Sequence, residues 1–161
     1  MMKKLTALVL TMALALSLSV TAFAAEINQG SDPKTADVTV TTSIAPTYTV
    51  TIPANTNVTF NTLSTSFGSV KLDAAQIDPG YAVKVELESG GLLKNEADEN
   101  KTIAYTVNDA DGAFTAGLYT AAGQETSLTI DITQEAWNTA FAGAYSDTMT
   151  FIVSYVNTVT P

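Results

Sequence analysis

Apolar residues recur at every second position along most of this chain, and this period of two constrains its fold more than any other feature. A strand places alternate side chains on opposite faces, whereas an amphipathic helix repeats about every 3.6 residues. The alternating runs are Val38 to Ile44, Tyr48 to Ile52, Val70 to Leu72, Tyr81 to Leu87, Ile103 to Val107, Leu128 to Ile132 and Met149 to Tyr155. We therefore predict a strand at each run.

Turn-forming segments separate these runs. Pro presets φ, Gly accepts a positive φ, and Asp bonds to the backbone ahead of it, so all three favour tight turns. The segments are Asp78-Pro79-Gly80, Ser89-Gly90-Gly91, Asp109 to Gly112 and Ala122-Gly123. About seven to nine short strands joined in this way indicate an all-β sandwich or a small barrel. We predict an immunoglobulin-like antiparallel β-sandwich.

One segment, residues 133–142, lacks the period of two. Thr133 is a suitable helix N-cap, and Gln134 and Glu135 favour a first helical turn. We predict one or two helical turns that cross one end of the sandwich. Trp137 and Phe141 are four residues apart and would share a face of such a helix, where they either plug the core or form an exposed aromatic platform.

The first residues have the pattern of a secretory signal peptide. Lys3 and Lys4 precede an apolar run from Leu5 to Val20, and Ala22-Phe23-Ala24 supplies the small residues of a cleavage site. The run is shorter than the roughly 20 apolar residues that span a membrane. We predict cleavage after Ala24, a flexible leader over residues 25–36, one domain over residues 37–158, and no transmembrane segment in the mature chain.

Charge and composition exclude several kinds of function. The formal net charge is −9, and removing Lys3 and Lys4 with the signal peptide makes the mature chain more acidic still. Such a surface repels nucleic acid, which is bound by Lys and Arg clusters. The chain has no His and no Cys, so Ser-His or Cys-His nucleophile pairs and ordinary zinc sites are excluded. We expect no cofactor.

A weak calcium motif lies at Asn108 to Gly112. Asp109 and Asp111 have the spacing at which many calcium loops place their first oxygen ligands before a glycine turn. The distal Glu of such loops is missing, because Thr occupies position 120. A plain hairpin or Asx turn is the alternative. A second acidic loop, Glu96 to Asn100, is interpreted as solvated charge rather than as a calcium site.

Catalysis would need paired carboxylates in a cleft. Glu86 and Glu88 are two residues apart and so lie about 7 Å apart on the outer face of one predicted strand, together with Lys84. Charged outer faces are common on exported β-domains, where they block edge pairing. We therefore assign no catalytic residue and expect that the protein is not an enzyme.

The last predicted strand is apolar on both faces. Ile152 and Val156 are out of phase with the run from Met149 to Tyr155, so they indicate either a partner surface or a central strand that is covered on both sides. A ligand-binding module would instead expose aromatic rings. The candidate rings are Phe114, Tyr119, Trp137 and Tyr145. The candidate partner surface comprises Ile152 and Val156, with Tyr119 and Trp137 as candidate ligand contacts.

The end of the chain resembles the closing strand of bacterial surface β-sandwiches. Trp137 followed by the run from Ala142 to Tyr155 is similar to that strand in spore coat U-type fimbrial proteins and in WxL cell-wall proteins. Val50 to Pro53, with Phe60, and Gly80-Tyr81 fit the same module. The resemblance implies an exported surface module. However, Trp137-Asn138-Thr139 is not a Trp-x-Leu motif, and the cysteines common in coat U proteins are missing.

Taken together, these features predict a secreted, extracellular bacterial protein that acts in a coat, fibre or matrix and has no catalytic activity. Its partner would be a second copy or a component of the cell wall or surface. The alternative is a secreted adhesin module that binds carbohydrate or cell wall. The chain has no sorting motif and no lipobox cysteine, so we expect any surface retention to be non-covalent.

Overall fold

The computed structural model describes residues 26–159, which fall into two units divided between Thr42 and Ser43. The described part of the first unit contains no helix and no strand, and its one turn is closed by the Ser31 N–H, which donates to Asn28 O at 3.1 Å. The predicted signal peptide and its cleavage site at Ala24 lie outside the described residues.

The second unit is an antiparallel β-structure with eleven strands and one short helix in its described residues. The strands are β1 (Thr47–Thr51), β2 (Ser64–Gln76), β3 (Tyr81–Glu88), β4 (Leu92–Asn95), β5 (Thr102–Ala104), β6 (Thr106–Asp109), β7 (Gly112–Ala113), β8 (Ala116–Tyr119), β9 (Glu125–Asp131), β10 (Tyr145–Ser146) and β11 (Thr150–Asn157). The helix, α1, spans Gln134–Thr139.

The strands form three sheets, and every pairing between them is antiparallel. A five-stranded sheet has the order β1-β2-β9-β6-β7, a second sheet the order β11-β3-β8, and a small third sheet the order β10-β4-β5. β2 contains a bulge near Gly68, which has a φ of 97°, a conformation that glycine adopts without steric cost. The predicted all-β sandwich with a short helix is confirmed, with four short strands that the alternation did not predict.

The core lies between the five-stranded sheet and the β11-β3-β8 sheet. It is built from the in-phase apolar residues of the predicted strands, because these side chains point to one face of each sheet. Phe67 on β2 and Phe151 on β11 bring the two sheets together, with ring centroids 6.2 Å apart. The largest fully buried side chains are Val70, Leu72, Val83, Val85, Leu128 and Ile132.

The helix forms where the period of two is interrupted. Thr133 is its N-cap, and its hydroxyl accepts a hydrogen bond from the Ala136 N–H at 3.2 Å. Trp137 is buried and its indole Nε1–H donates to Thr62 O at 3.0 Å. The predicted helix, and the alternative in which Trp137 plugs the core, are therefore confirmed.

Phe141 differs from that prediction. The helix ends at Thr139, with Ala140 already extended at ψ 139°, so Phe141 does not continue the helical face of Trp137. Its side chain is 60% exposed. The expectation that both rings share a helix face was wrong, because the helix ends two residues before Phe141.

The predicted first strand, Val38 to Ile44, is also absent. Residues 37–46 have neither helix nor strand, and Val38 and Val40 are 84% and 92% exposed. Alternation specifies which side chains share a face, but a strand forms only where its backbone groups pair with a neighbour. The prediction of a strand here was wrong because the described chain gives these residues no pairing partner.

Candidate interaction surfaces

β11 is an outer strand of its sheet. It pairs with β3 over eight residues without a register shift, from Thr150 opposite Glu88 to Asn157 opposite Tyr81. No other described strand pairs with β11, so its second side is a free edge. The alternative in which this strand is central and covered on both sides was therefore wrong, because sequence alternation does not report how many neighbours a strand has.

The inward face of β11 is only partly covered. Val153 lies opposite Val85, which is fully buried, yet Val153 is 37% exposed. Phe151 and Tyr155 flank Val153 on the same face and are half-buried. A core-facing valine stays accessible here because the sheet has no strand beyond β11 to cover it.

The outward face of β11 is apolar as well. Ile152 and Val156, which the sequence indicated as a partner surface, lie four residues apart on this face. Ile152 is exposed and Val156 is half-buried. The structure therefore places both residues on one free edge strand.

Three tyrosines lie where β11 approaches β1. Tyr155 stacks on Tyr81 of β3, with centroids 4.9 Å apart, and on Tyr48 of β1, with centroids 6.1 Å apart. The Tyr155 hydroxyl donates to Asp78 Oδ2 at 3.0 Å and accepts from the Asp78 N–H at 2.7 Å. These contacts link the outer strands β1 and β11 of the two facing sheets.

A second candidate surface is an apolar cleft of about 720 Å³ beside the helix. Phe60 and Phe141 are exposed on it, and Trp137 contributes to its wall. Lys101 Nζ lies 4.4 Å from the centroid of the Phe141 ring, a cation–π distance. Aromatic and aliphatic lining of this kind is typical of small-ligand sites.

The aromatic candidates from the sequence divide between the core and this cleft. Tyr119 and Phe114 are buried, so neither presents a ring to solvent. The Tyr119 hydroxyl donates to Thr126 Oγ1 at 2.9 Å, and burial raises the pKa of Tyr119. Tyr145 is half-buried and lines the cleft. Tyr119 cannot serve as an exposed ligand platform, because its in-phase position on β8 directs it into the core.

Sequence reasoning missed Phe60 as a cleft residue. Phe60 lies in the irregular segment between β1 and β2, where no period applies, and it meets Trp137 edge-on at 5.4 Å. The only sequence signal for a role of Phe60 in the cleft was that an aromatic residue lies outside any alternating run. Phe60 and Phe141 line the same cleft because of loop conformation, which neither periodicity nor spacing predicts.

The calcium candidates take part in a hairpin turn. Asp109 Oδ1 accepts hydrogen bonds from the N–H groups of Asp111 and Gly112 at 2.8 and 3.1 Å, and Asp109 pairs with Gly112 across the β6–β7 hairpin. The Asx-turn alternative is therefore confirmed. Among residues 26–159, no three His, Cys, Asp or Glu side chains lie close enough to hold a metal ion.

One of the two outer-face carboxylates of β3, that of Glu86, forms an ion pair with Lys84. Lys84 Nζ lies 2.7 Å from Glu86 Oε1, and both side chains are partly solvent-exposed. An exposed pair of this kind contributes little to stability, about 0–1 kcal/mol. It does keep the outer face of β3 polar beside the apolar outer face of β11.

Within the described range, no helix is long and apolar enough to cross a membrane. Comparison of the chain with protein-family models and with curated protein sequences found no significant match. The functional argument therefore depends on the two surfaces described above.

Proposed function

We propose that this chain is a secreted bacterial surface protein, whose β-sandwich serves as a structural or interaction subunit of a coat, fibre or matrix and catalyses no reaction. The observation that carries the proposal is the free edge of β11, which is apolar on both faces. Natural proteins usually protect long outer strands with charges, prolines or bulges, because an unprotected edge pairs with other chains. An edge left open in this way supports a role in association.

Export is the second part of the proposal. Lys3, Lys4, the apolar run and Ala22-Phe23-Ala24 support cleavage after Ala24. The likeness of the closing strand to those of WxL and coat U-type modules supports a place at the bacterial surface. Non-covalent retention there agrees with the lack of a lipobox cysteine.

Cell fractionation tests this function. The full chain is expressed in a bacterial host and followed with an antibody in the cytoplasm, membrane, cell wall and medium. We expect a mature form that begins at Ala25, recovered from the wall or medium and degraded when intact cells are treated with protease. An Ala22→Lys, Ala24→Lys variant should retain the uncleaved N-terminus. Retention of the unprocessed wild-type chain in the cytoplasm would contradict the proposal.

The aromatic cleft supports a second candidate, an adhesin module that binds carbohydrate or cell-wall polymer. Aromatic rings beside polar groups stack on the apolar faces of sugar rings, and Phe60 and Phe141 are the exposed rings of this cleft. The test is sedimentation of the protein with purified cell walls and binding to a glycan panel. Phe60→Ala and Phe141→Ala should abolish binding, whereas Leu118→Ala, which is similarly exposed on β8, should not.

A further inference from the structure

We propose that residues 37–44 of one copy of this chain add as a strand to the free edge of β11 in a second copy. The inference deepens the proposed function, because it names the partner as the chain itself and assigns the contact to two segments. It rests on four features of the molecule: the length of the acceptor edge, the gap beside it, the pattern of the added segment and the distribution of charge.

β11 is the best acceptor among the outer strands. The other outer strands, β1, β5, β7, β8 and β10, have two to five residues, and β1 also contains a bulge between Thr49 and Val50. β11 has eight residues, no register shift and no proline. Short or bulged edges resist strand addition, whereas a long, regular edge favours it.

The free edge also leaves a place for an apolar side chain. Val153 points toward the core and remains 37% exposed. A strand added beyond β11 would direct every second side chain toward the space beside Val153. A strand added here would therefore need apolar residues at alternate positions.

Residues 37–44 have this pattern, and no described strand pairs with them. Val38, Val40, Thr42 and Ile44 alternate with polar residues, and this run is exposed. At about 3.3 Å per residue, the span from residue 38 to residue 44 is roughly 20 Å, which fits within the eight residues of β11. An exposed run of β-branched residues gains both backbone pairing and burial when it adds to a sheet.

Charge is nearly absent from both segments, because Asp37, at the start of residues 37–44, is the only charged residue in either. The sequence has no charged residue between Asp37 and Lys71, and none after Asp147. Elsewhere the strong negative charge would make two copies repel each other. The two segments can therefore meet without burying a charge, and raising the salt concentration should strengthen the association by screening the remaining surface.

A second copy is favoured over the same copy as the source of the strand. Only Ala45 and Pro46 separate Ile44 from β1, which belongs to the opposite sheet from β11. Proline at position 46 favours an extended Ala45 and disfavours an immediate chain reversal. Pairing within one copy would need such a reversal while the chain also crossed the roughly 10 Å between the two sheets.

The test compares two charge variants of the chain that starts at Ala25. Val38→Lys, Val40→Lys places two charges on the face that should enter the gap, and Thr39→Lys, Thr41→Lys places the same charges on the opposite face. Molar mass is measured by size-exclusion chromatography with light scattering over a range of protein and salt concentrations. Circular dichroism of each variant verifies the fold, which these exposed substitutions should leave intact.

We expect the wild-type mass to rise with protein and salt concentration, the Val38/Val40 variant to associate at least about tenfold more weakly, and the Thr39/Thr41 variant to stay within about twofold of wild type. Equal association of both variants would overturn the proposal, as would a wild-type chain that is monomeric throughout. A monomer in which residues 37–44 are protected from amide exchange would indicate pairing within one copy and would also overturn it. Cell fractionation of the Val38/Val40 variant separates the two proposals. If this variant still reaches the cell surface, the proposed function stands even where the strand addition is overturned.

Discussion

Replacement of Tyr105 by Phe should lower the free energy of unfolding at neutral pH. The variant should also lose less of that free energy than wild type as the pH rises above 10. Tyr105 is a buried residue that separates β5 from β6 along the chain. Its hydroxyl donates to Asp147 Oδ2 at 2.6 Å and lies 2.6 Å from Ser89 Oγ. Because Asp147 is half-buried and water can replace part of the lost bond, we expect the free energy of unfolding to fall by about 1–2 kcal/mol.

The loss of stability at alkaline pH follows from proton linkage. Burial, and then the hydrogen bond to Asp147, raise the pKa of Tyr105 to about 12, above its ordinary value near 10. The unfolded chain therefore loses this proton more readily than the folded chain between pH 10 and 12. The stabilisation is complete below pH 10 and is lost as the pH rises through the folded pKa. The difference in free energy of unfolding between wild type and Tyr105→Phe should therefore be about 1 kcal/mol smaller at pH 11 than at neutral pH.

Urea unfolding followed by Trp137 fluorescence at pH 8 and pH 11 measures both effects. Ser89→Ala is the matched control, since it removes one hydroxyl partner but retains the ionising phenol, and it should keep the wild-type loss of stability with pH. A gap between wild type and Tyr105→Phe that is the same at both pH values would refute the linkage argument.

Four further substitutions test the fold by the same unfolding assay. Leu72→Ala removes a fully buried side chain and should cost about 2–5 kcal/mol, whereas Leu118→Ala on the exposed face of β8 should change stability by less than about 0.5 kcal/mol. Thr133→Ala removes the N-cap of α1 and should cost about 1 kcal/mol; no change would show that the cap bond does not stabilise the helix. Gly143→Ala places a Cβ against the Asn95 side chain at a φ of 147° and should cost about 1–3 kcal/mol; wild-type stability would show that the loop adapts freely.

The sequence predicts the longer strands well and the shortest ones poorly. β2, β3 and β9 each pair with two neighbouring strands, so burial selects an apolar residue at alternate positions and the period of two is clear. β4, β7, β8 and β10 are two to four residues long, too short to show a period. β8 also contains Gly117, which has no side chain to report a face.

Pairing is the property that alternation does not specify. Residues 38–44 and 48–52 have the same pattern, yet only the second run lies in a strand, because β2 pairs with it. For the same reason the sequence located Ile152 and Val156 on one face of β11 but did not predict that β11 is an outer strand. The cleft was not predictable, because Phe60 and Phe141 are far apart in the chain and both lie in irregular loops.

Amide hydrogen exchange of the chain from Ala25, at low and at high protein concentration, tests the central claim most directly. The account predicts that residues 37–44 and 150–157 gain protection together as the protein associates, while β1 and β8 stay unchanged. Protection that appears at β1, at β8 or at the aromatic cleft instead, or no change at any concentration, would contradict it.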